Sequence, residues 1–257
     1  MIYPFLANKT DGKKTHSKIL GELEEQSKIL TVSLEELHDK AELFLEKKSG
    51  FLKMDTETIE EHQVVALYIY EMFFENAVLR ILLQPFSGKC VMRDGLHFGK
   101  EYFIACPILE HLELEAADVI SGYLYTFHAP EPAGDIEKLS LLEKYYLENW
   151  LVSFLDAGRE HARAYLFRKH NVRETSFVTD SFGPGFYGMS IEAVRQIFEV
   201  LDGSPVGVSL MENGNMSPLK SCVGMYLVLK KDVSHLMGQD CTNCAGSKHG
   251  CYACRNI

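Results

Sequence analysis

The stretch IEKLSLLEKYYLENWLVSFLDAGREHARAYLFR, residues 136–168, carries the strongest helical period in the chain. Leu139, Leu142, Tyr146, Trp150 and Ala157 step around one face, and Leu147, Leu151, Phe154 and Leu155 widen it. So broad an apolar stripe needs packing on more than one side, which makes this helix the expected spine of the fold. Gly158 falls inside it, where glycine costs about 0.8–1 kcal/mol relative to alanine. Close approach of another helix or of a ligand is the expected reason. Asp156, Arg159, Glu160 and His161 lie beside it, either as a solvated face with local ion pairs or as part of a site.

Working outward, Cys222-Val-Gly-Met-Tyr-Leu-Val-Leu229 is the clearest strand. Val206–Leu210, Tyr102–Cys106 and Val119–Phe127 read as further strands, interrupted by Pro107, Gly122 and Pro130. Toward the N-terminus, Ser33-Leu-Glu-Glu36 is a capping box. It opens a helix through Leu34, Leu37, Ala41, Phe44 and Leu45 that stops at Lys47–Gly50. A longer helix is expected from Thr56 to Leu83, ended by Pro85 and Gly88. Residues 7–28 are polar and predict a loop with a short peripheral helix. Ser190 caps a helix running to Leu201. The pattern predicts an α+β fold, with long helices packed on an antiparallel or mixed sheet. Three portions are expected: a mainly helical 1–100, an α+β region at 101–235 and a cysteine-rich tail at 236–257.

The 257 residues are 46% hydrophobic and carry a formal net charge of −10. That supports a substantial core and disfavours a nucleic-acid partner. No basic–aromatic stripe accompanies the charge. No apolar run is long enough to span a membrane, and the start lacks a basic region ahead of an apolar run, so no signal peptide is expected. Seven cysteines, with Cys90, Cys106 and Cys222 scattered in apolar surroundings as expected buried thiols, suit a reducing cytoplasm.

The other four cysteines are crowded at Cys241-Thr-Asn-Cys244 and Cys251-Tyr-Ala-Cys254, in a segment with almost nothing apolar to bury. Two paired thiolates separated by a short run containing Gly246 and Gly250 can converge on one metal centre. Disulfides or a reactive tail are the other readings. The spacing alone does not separate zinc from an iron–sulfur cluster.

One further stretch specifies backbone shape rather than side-chain chemistry: Ser181-Phe-Gly-Pro-Gly-Phe-Tyr-Gly188. It is neither a dinucleotide fingerprint nor a phosphate loop. With the following helix N-terminus it can hold an anionic group such as a carboxylate, or it can serve only to turn the chain.

Asp156-Ala-Gly158, Ser181-Phe-Gly-Pro-Gly-Phe186 and Asn215-Met-Ser-Pro-Leu-Lys-Ser-Cys-Val-Gly224 occur in an order and separation that resembles the S-adenosylmethionine-binding activation domain of cobalamin-dependent methionine synthase. The resemblance covers roughly residues 145–254 and is closer to freestanding relatives found beside corrinoid methyltransferases in anaerobes. Those relatives share the terminal cysteine cluster, which the methionine synthase domain lacks. The resemblance implies that Gly183, Pro184, Gly185, Phe186 and Tyr187 hold S-adenosylmethionine beside a corrinoid supplied by a partner protein. Ser181 stands where methionine synthase has a carboxylate-binding arginine. A hydroxyl there supplies neither positive charge nor bidentate geometry. Arg173 and Lys220 are the cations that can compensate, and Asp180 is an acidic candidate.

The expected function is therefore an S-adenosylmethionine-binding accessory protein for reductive methylation and reactivation of a corrinoid methyltransferase system. A cluster at Cys241, Cys244, Cys251 and Cys254 would pass the electron from a donor. The alternative is a non-catalytic adaptor or binding module with a structural zinc site.

Overall fold

In the computed structural model, which describes residues 26–49, 55–115, 117–132, 134–171 and 176–234, the last described strand is the hub of a five-stranded antiparallel sheet. The strands are β1 (Lys28–Ser33), β2 (Val78–Ser87), β5 (Val119–His128), β6 (Phe177–Val178) and β9 (Ser221–Leu229). Their order across the sheet is β1-β2-β5-β9-β6. β5 and β9 are central and read as near-continuous apolar runs because both faces of the sheet are covered.

One face carries Leu79, Ile81, Tyr123, Phe127, Tyr226 and Val228. It is covered by the helices α1 (Leu34–Ser49), α2 (Thr56–Phe73) and α4 (Leu141–His170). The other face carries Leu82, Phe86, Leu124, Met225 and Leu227. It lies under a hairpin of β3 (Gly95–Phe98) and β4 (Tyr102–Ala105), the short α3 (Ile108–His111) and α5 (Ala193–Val200). This is an α+β fold with helices packed against an antiparallel sheet.

α4 is the expected spine, although residues 136–138 form a separate 3-10 turn before it. The helix begins at a full capping box: Ser140 accepts from the Glu143 amide and the Glu143 side chain accepts from the Ser140 amide. Arg168, Lys169 and His170 close it, favourably placed at the negative end of the helix dipole. Gly158 makes its close approach to the sheet and not to another helix. A Cβ there would lie 2.5 Å from Leu79 Cδ2 and 2.8 Å from Phe127 Cε2.

Several expectations are corrected. The helix from Thr56 stops at Phe73, and Val78-Leu-Arg-Ile-Leu-Leu83 is strand β2, paired with β1 and β5. A short apolar run reads equally well as buried helix or buried strand, and here the sheet takes it. Pro85 lies within β2 opposite Tyr123 and does not end a helix. Lys28 begins β1, a strand hidden by the polar flanking sequence.

Val206 and Gly207 belong to a 3-10 turn and its left-handed end (Gly207 φ 77°). Only β7 (Ser209–Leu210) is extended, and it pairs with β8 (Met216–Ser217) in a hairpin of its own, not with β9. Ser190 does not cap α5. Glu192 holds that position without a side-chain bond, while Ser190 Oγ accepts from the Glu192 amide in the preceding turn. Most of the expected peripheral segment at residues 7–28 and the whole cysteine tail lie outside the described residues. Among the described residues, no helix is long and apolar enough to cross a membrane.

Candidate functional site

The glycine–proline loop is an extension of the sheet edge. After β6 the chain continues along β9. The Thr179 amide donates to Leu227 O, the Leu227 amide donates to Thr179 Oγ1, and Phe182 and Met225 exchange backbone bonds. Gly183 then packs backbone to backbone on Gly224: a Cβ on Gly183 would sit 2.8 Å from both Gly224 Cα and Val223 O. Gly183 and Pro184 are buried by this contact, whereas Gly185 (φ 85°), Phe186 and Gly188 (φ 78°) project to solvent. Tyr187 takes a left-handed φ of 51°, which a non-glycine residue adopts at a cost.

Two glycines two residues apart thus do different work, and substitution separates them. Gly183→Ala is expected to cost about 1–3 kcal/mol, because the neighbouring backbone has no room to yield. Gly185→Ala has open space around it, the nearest atom being Ile191 Cδ1 at 3.9 Å. Its expected cost of about 1–2 kcal/mol is backbone strain alone. Gly185→Asn should recover much of that loss because asparagine tolerates left-handed backbone, while Gly183→Asn should not. Chemical denaturation of the four variants reads the difference.

Beneath the loop lies a cluster of polar side chains that no sequence motif announces. Tyr125, on β5 opposite Gly224, leans across β9 through the space that glycine leaves and shares a 2.5 Å hydrogen bond with Ser181 Oγ. The Arg159 guanidinium of α4 lies close enough for its charge to oppose the effect of burial on the Tyr125 hydroxyl. Beside it, the Tyr226 hydroxyl donates to Arg159 O at 2.7 Å. Ser181 thus ties the loop to the central strand through Tyr125, and Tyr226 ties β9 to α4.

α4 places a cation beside the loop. The Arg159 guanidinium lies 5.2 Å from the centre of the exposed Phe186 ring, in cation–π range. It also pairs with Asp156, which is shared with Lys48 of α1. Burial, then the Arg159 charge, push the Lys48 pKa down. Burial pushes the Tyr125 and Tyr226 hydroxyls up and the Cys222 thiol up to about 12, with Arg159 opposing in each case. Cys222 and Cys106, the latter likewise pushed up to about 12 by burial, are thus protonated thiols at neutral pH and poor nucleophiles. Lys220 is paired with Glu148 at the surface. Arg173 lies outside the described residues.

One helical turn beyond Arg159 a cavity of about 400 Å³ opens between α4 and β6. Phe167, Phe177 and Val178 give it apolar walls, and Arg163 and Asp180 form a 2.8 Å ion pair in it. Burial raises the Asp180 pKa, Arg163 opposes this, and Glu160 adds to it. The cavity therefore offers both signs of charge beside apolar surface, the lining that suits an amphipathic zwitterion.

Of the expected site residues, the structure brings Ser181, Gly183, Pro184, Gly185, Phe186 and Tyr187 together with Arg159. Cys241, Cys244, Cys251 and Cys254 lie outside the described residues. Among the described residues, no group of three or more His, Cys, Asp or Glu side chains is placed to hold a metal ion. Arg159 is marked in the sequence by its position next to Gly158 in the first of the three motifs, where it reads either as part of a solvated face or as part of a site. Tyr125 carries no such signal, lying in a strand with no motif. Comparison with protein-family models finds no match to the chain, and comparison with curated proteins finds none either.

Proposed function

We propose that the protein binds S-adenosylmethionine and serves, in a reducing cytoplasm, as an accessory to a corrinoid methyltransferase, supporting reductive methylation of the partner's corrinoid. The observation that carries this reading is the convergence of three separate motifs. Arg159, next to the first, lies under Phe186 of the second, and Gly183 of the second packs on Gly224 of the third.

The residues fit the ligand's chemistry. Arg159 and Arg163 are the cations for a carboxylate, Asp180 and Glu160 the anions for an ammonium and a sulfonium, and Phe186 a face for a purine. S-adenosylmethionine supplies an electrophilic methyl group on sulfur, which a reduced cobalt accepts. The chain's own part is to hold and orient the ligand and to exclude water, so no side chain need act as a general acid or base. Cys241, Cys244, Cys251 and Cys254 are proposed to share one metal centre, an iron–sulfur cluster that passes the electron the reaction needs.

Calorimetric titration with S-adenosylmethionine, on protein prepared without oxygen, should give a saturable isotherm. No heat at millimolar ligand, with the fold intact, would remove the reading. Iron, sulfide and zinc analysis of the same sample tests the tail: iron with sulfide is expected. Zinc alone would replace the electron-transfer role with a structural one and favour the adaptor. Neither metal would sink the shared centre.

A further inference from the structure

The geometry points to the outer face of α2 as a docking surface for a basic amphipathic helix of a partner protein. α2 packs on α4 and buries only Ala66, Ile69, Tyr70 and Phe73. Its other side is not the polar face that a peripheral helix normally shows to water. Val64, Leu67, Tyr68 and Met72 are each between 44% and 68% exposed. At about 100° per residue these four lie within an arc of roughly 140°, a contiguous apolar stripe two to three turns long.

The same arc carries Glu57, Glu60 and Glu61 before the stripe and Glu71 within it, and Glu75 follows in the turn after the helix, all exposed. α2 contains no lysine or arginine, so nothing on the helix neutralises them. An apolar centre with acid at both ends selects its occupant by charge. A second copy would set acid against acid whether the helices ran parallel or antiparallel, and an anionic lipid surface would be repelled in the same way. A helix with apolar residues at i, i+3, i+4 and i+7 and lysine or arginine at both ends satisfies both features. Laying such a face along another helix is a recurrent mode of recognition. Leucine, tyrosine and methionine supply adaptable contact area, and the glutamates steer the encounter. The surface lies on the outer side of the helical layer, away from the loop at Gly183–Gly188, so ligand binding and docking are separable.

The test uses the full chain and a fluorescent designed helical peptide of about 20 residues, with a leucine stripe and lysines at both ends. Two control peptides accompany it: the same composition scrambled so that the leucines share no face, and a version with glutamates in place of the lysines. Anisotropy titration should show saturable binding of the first peptide only. Binding should weaken as salt rises, since screening shortens the reach of the glutamates. Leu67→Ser/Tyr68→Ser and, separately, Glu60→Lys/Glu71→Lys should each weaken binding about tenfold or more. Neither pair should lower the thermal midpoint by more than a few degrees or alter S-adenosylmethionine binding, because these side chains lie at the surface and outside the proposed ligand site. Equal binding of the scrambled peptide, no binding at all, or indifference to both double variants would overturn the proposal. So would a dimer in sedimentation that Leu67→Ser/Tyr68→Ser dissociates, which would assign the face to a second copy.

Discussion

Trp150→Ala is expected to cost about 3–5 kcal/mol of stability, much of what a domain of ordinary stability has in reserve. Trp150 is 1% exposed at the centre of the helical layer. Its ring is stacked 5.3 Å from Phe154, is 5.3 Å from Tyr70 of α2, and is 5.4 Å from His38 of α1. Its indole N–H donates to Ala66 O at 2.8 Å. Truncation opens a cavity where three helices meet and deprives a buried carbonyl of a partner. Trp150→Phe keeps most of the volume and loses only the hydrogen bond and part of the ring, so about 1–2 kcal/mol is expected. Trp150 is the chain's single tryptophan, so circular dichroism in denaturant, not intrinsic fluorescence, is the readout. A loss below about 1 kcal/mol for Trp150→Ala would mean that α4 is not the spine of the core.

Arg159→Met is the substitution expected to act most strongly on the proposed ligand site. It removes the cation beneath Phe186 and leaves Asp156 with Lys48 alone. Hydrogen bonds to charged groups contribute about 1.5–3 kcal/mol each, so S-adenosylmethionine binding should weaken roughly 10- to 100-fold. Stability should fall by about 2–3 kcal/mol as the half-buried pair with Asp156 is broken. Arg159→Lys retains charge but not the planar fork, and should restore binding only in part. Lys48→Met separates the two effects. It disturbs the Asp156 pair from the α1 side and should lower stability while leaving the ligand isotherm nearly unchanged. Wild-type affinity in a folded Arg159→Met protein would take Arg159 out of the site.

α4 and β9 are legible in the amino-acid sequence, and the reason is length and period. Thirty residues with a wide apolar stripe fit only a buried helix, and Val223–Leu229 is too uniformly apolar and β-rich for a surface segment. Val78–Leu83 reads as helix because both faces of β2 are buried from Ile81 onward and the exposed Val78 is itself apolar. Its sequence therefore lacks the alternation that marks a half-exposed strand, and the helical period of Thr56–Phe73 runs on through it without a visible break. The extent of β7 is obscured for a related reason. The apolar Val206 and Val208 are buried, yet they belong to a turn that Gly207 makes possible through a left-handed backbone.

Composition and local pattern are enough to determine the α+β class, the spine helix, the central strand and the shape-specifying loop, because each depends on residues close together in the chain. The pairing order of the sheet and the contents of the site are set only by folding. Tyr125, Arg159, Ser181 and Tyr226 are scattered over two strands, a helix and a loop and share no spacing rule. They meet because α4 lies across the central strands β5 and β9, where Gly224 leaves room for Tyr125 to cross and Gly183 lets the loop lie flat against β9. The placement of Arg159 of α4 beneath Phe186 of the loop becomes visible only when those layers close.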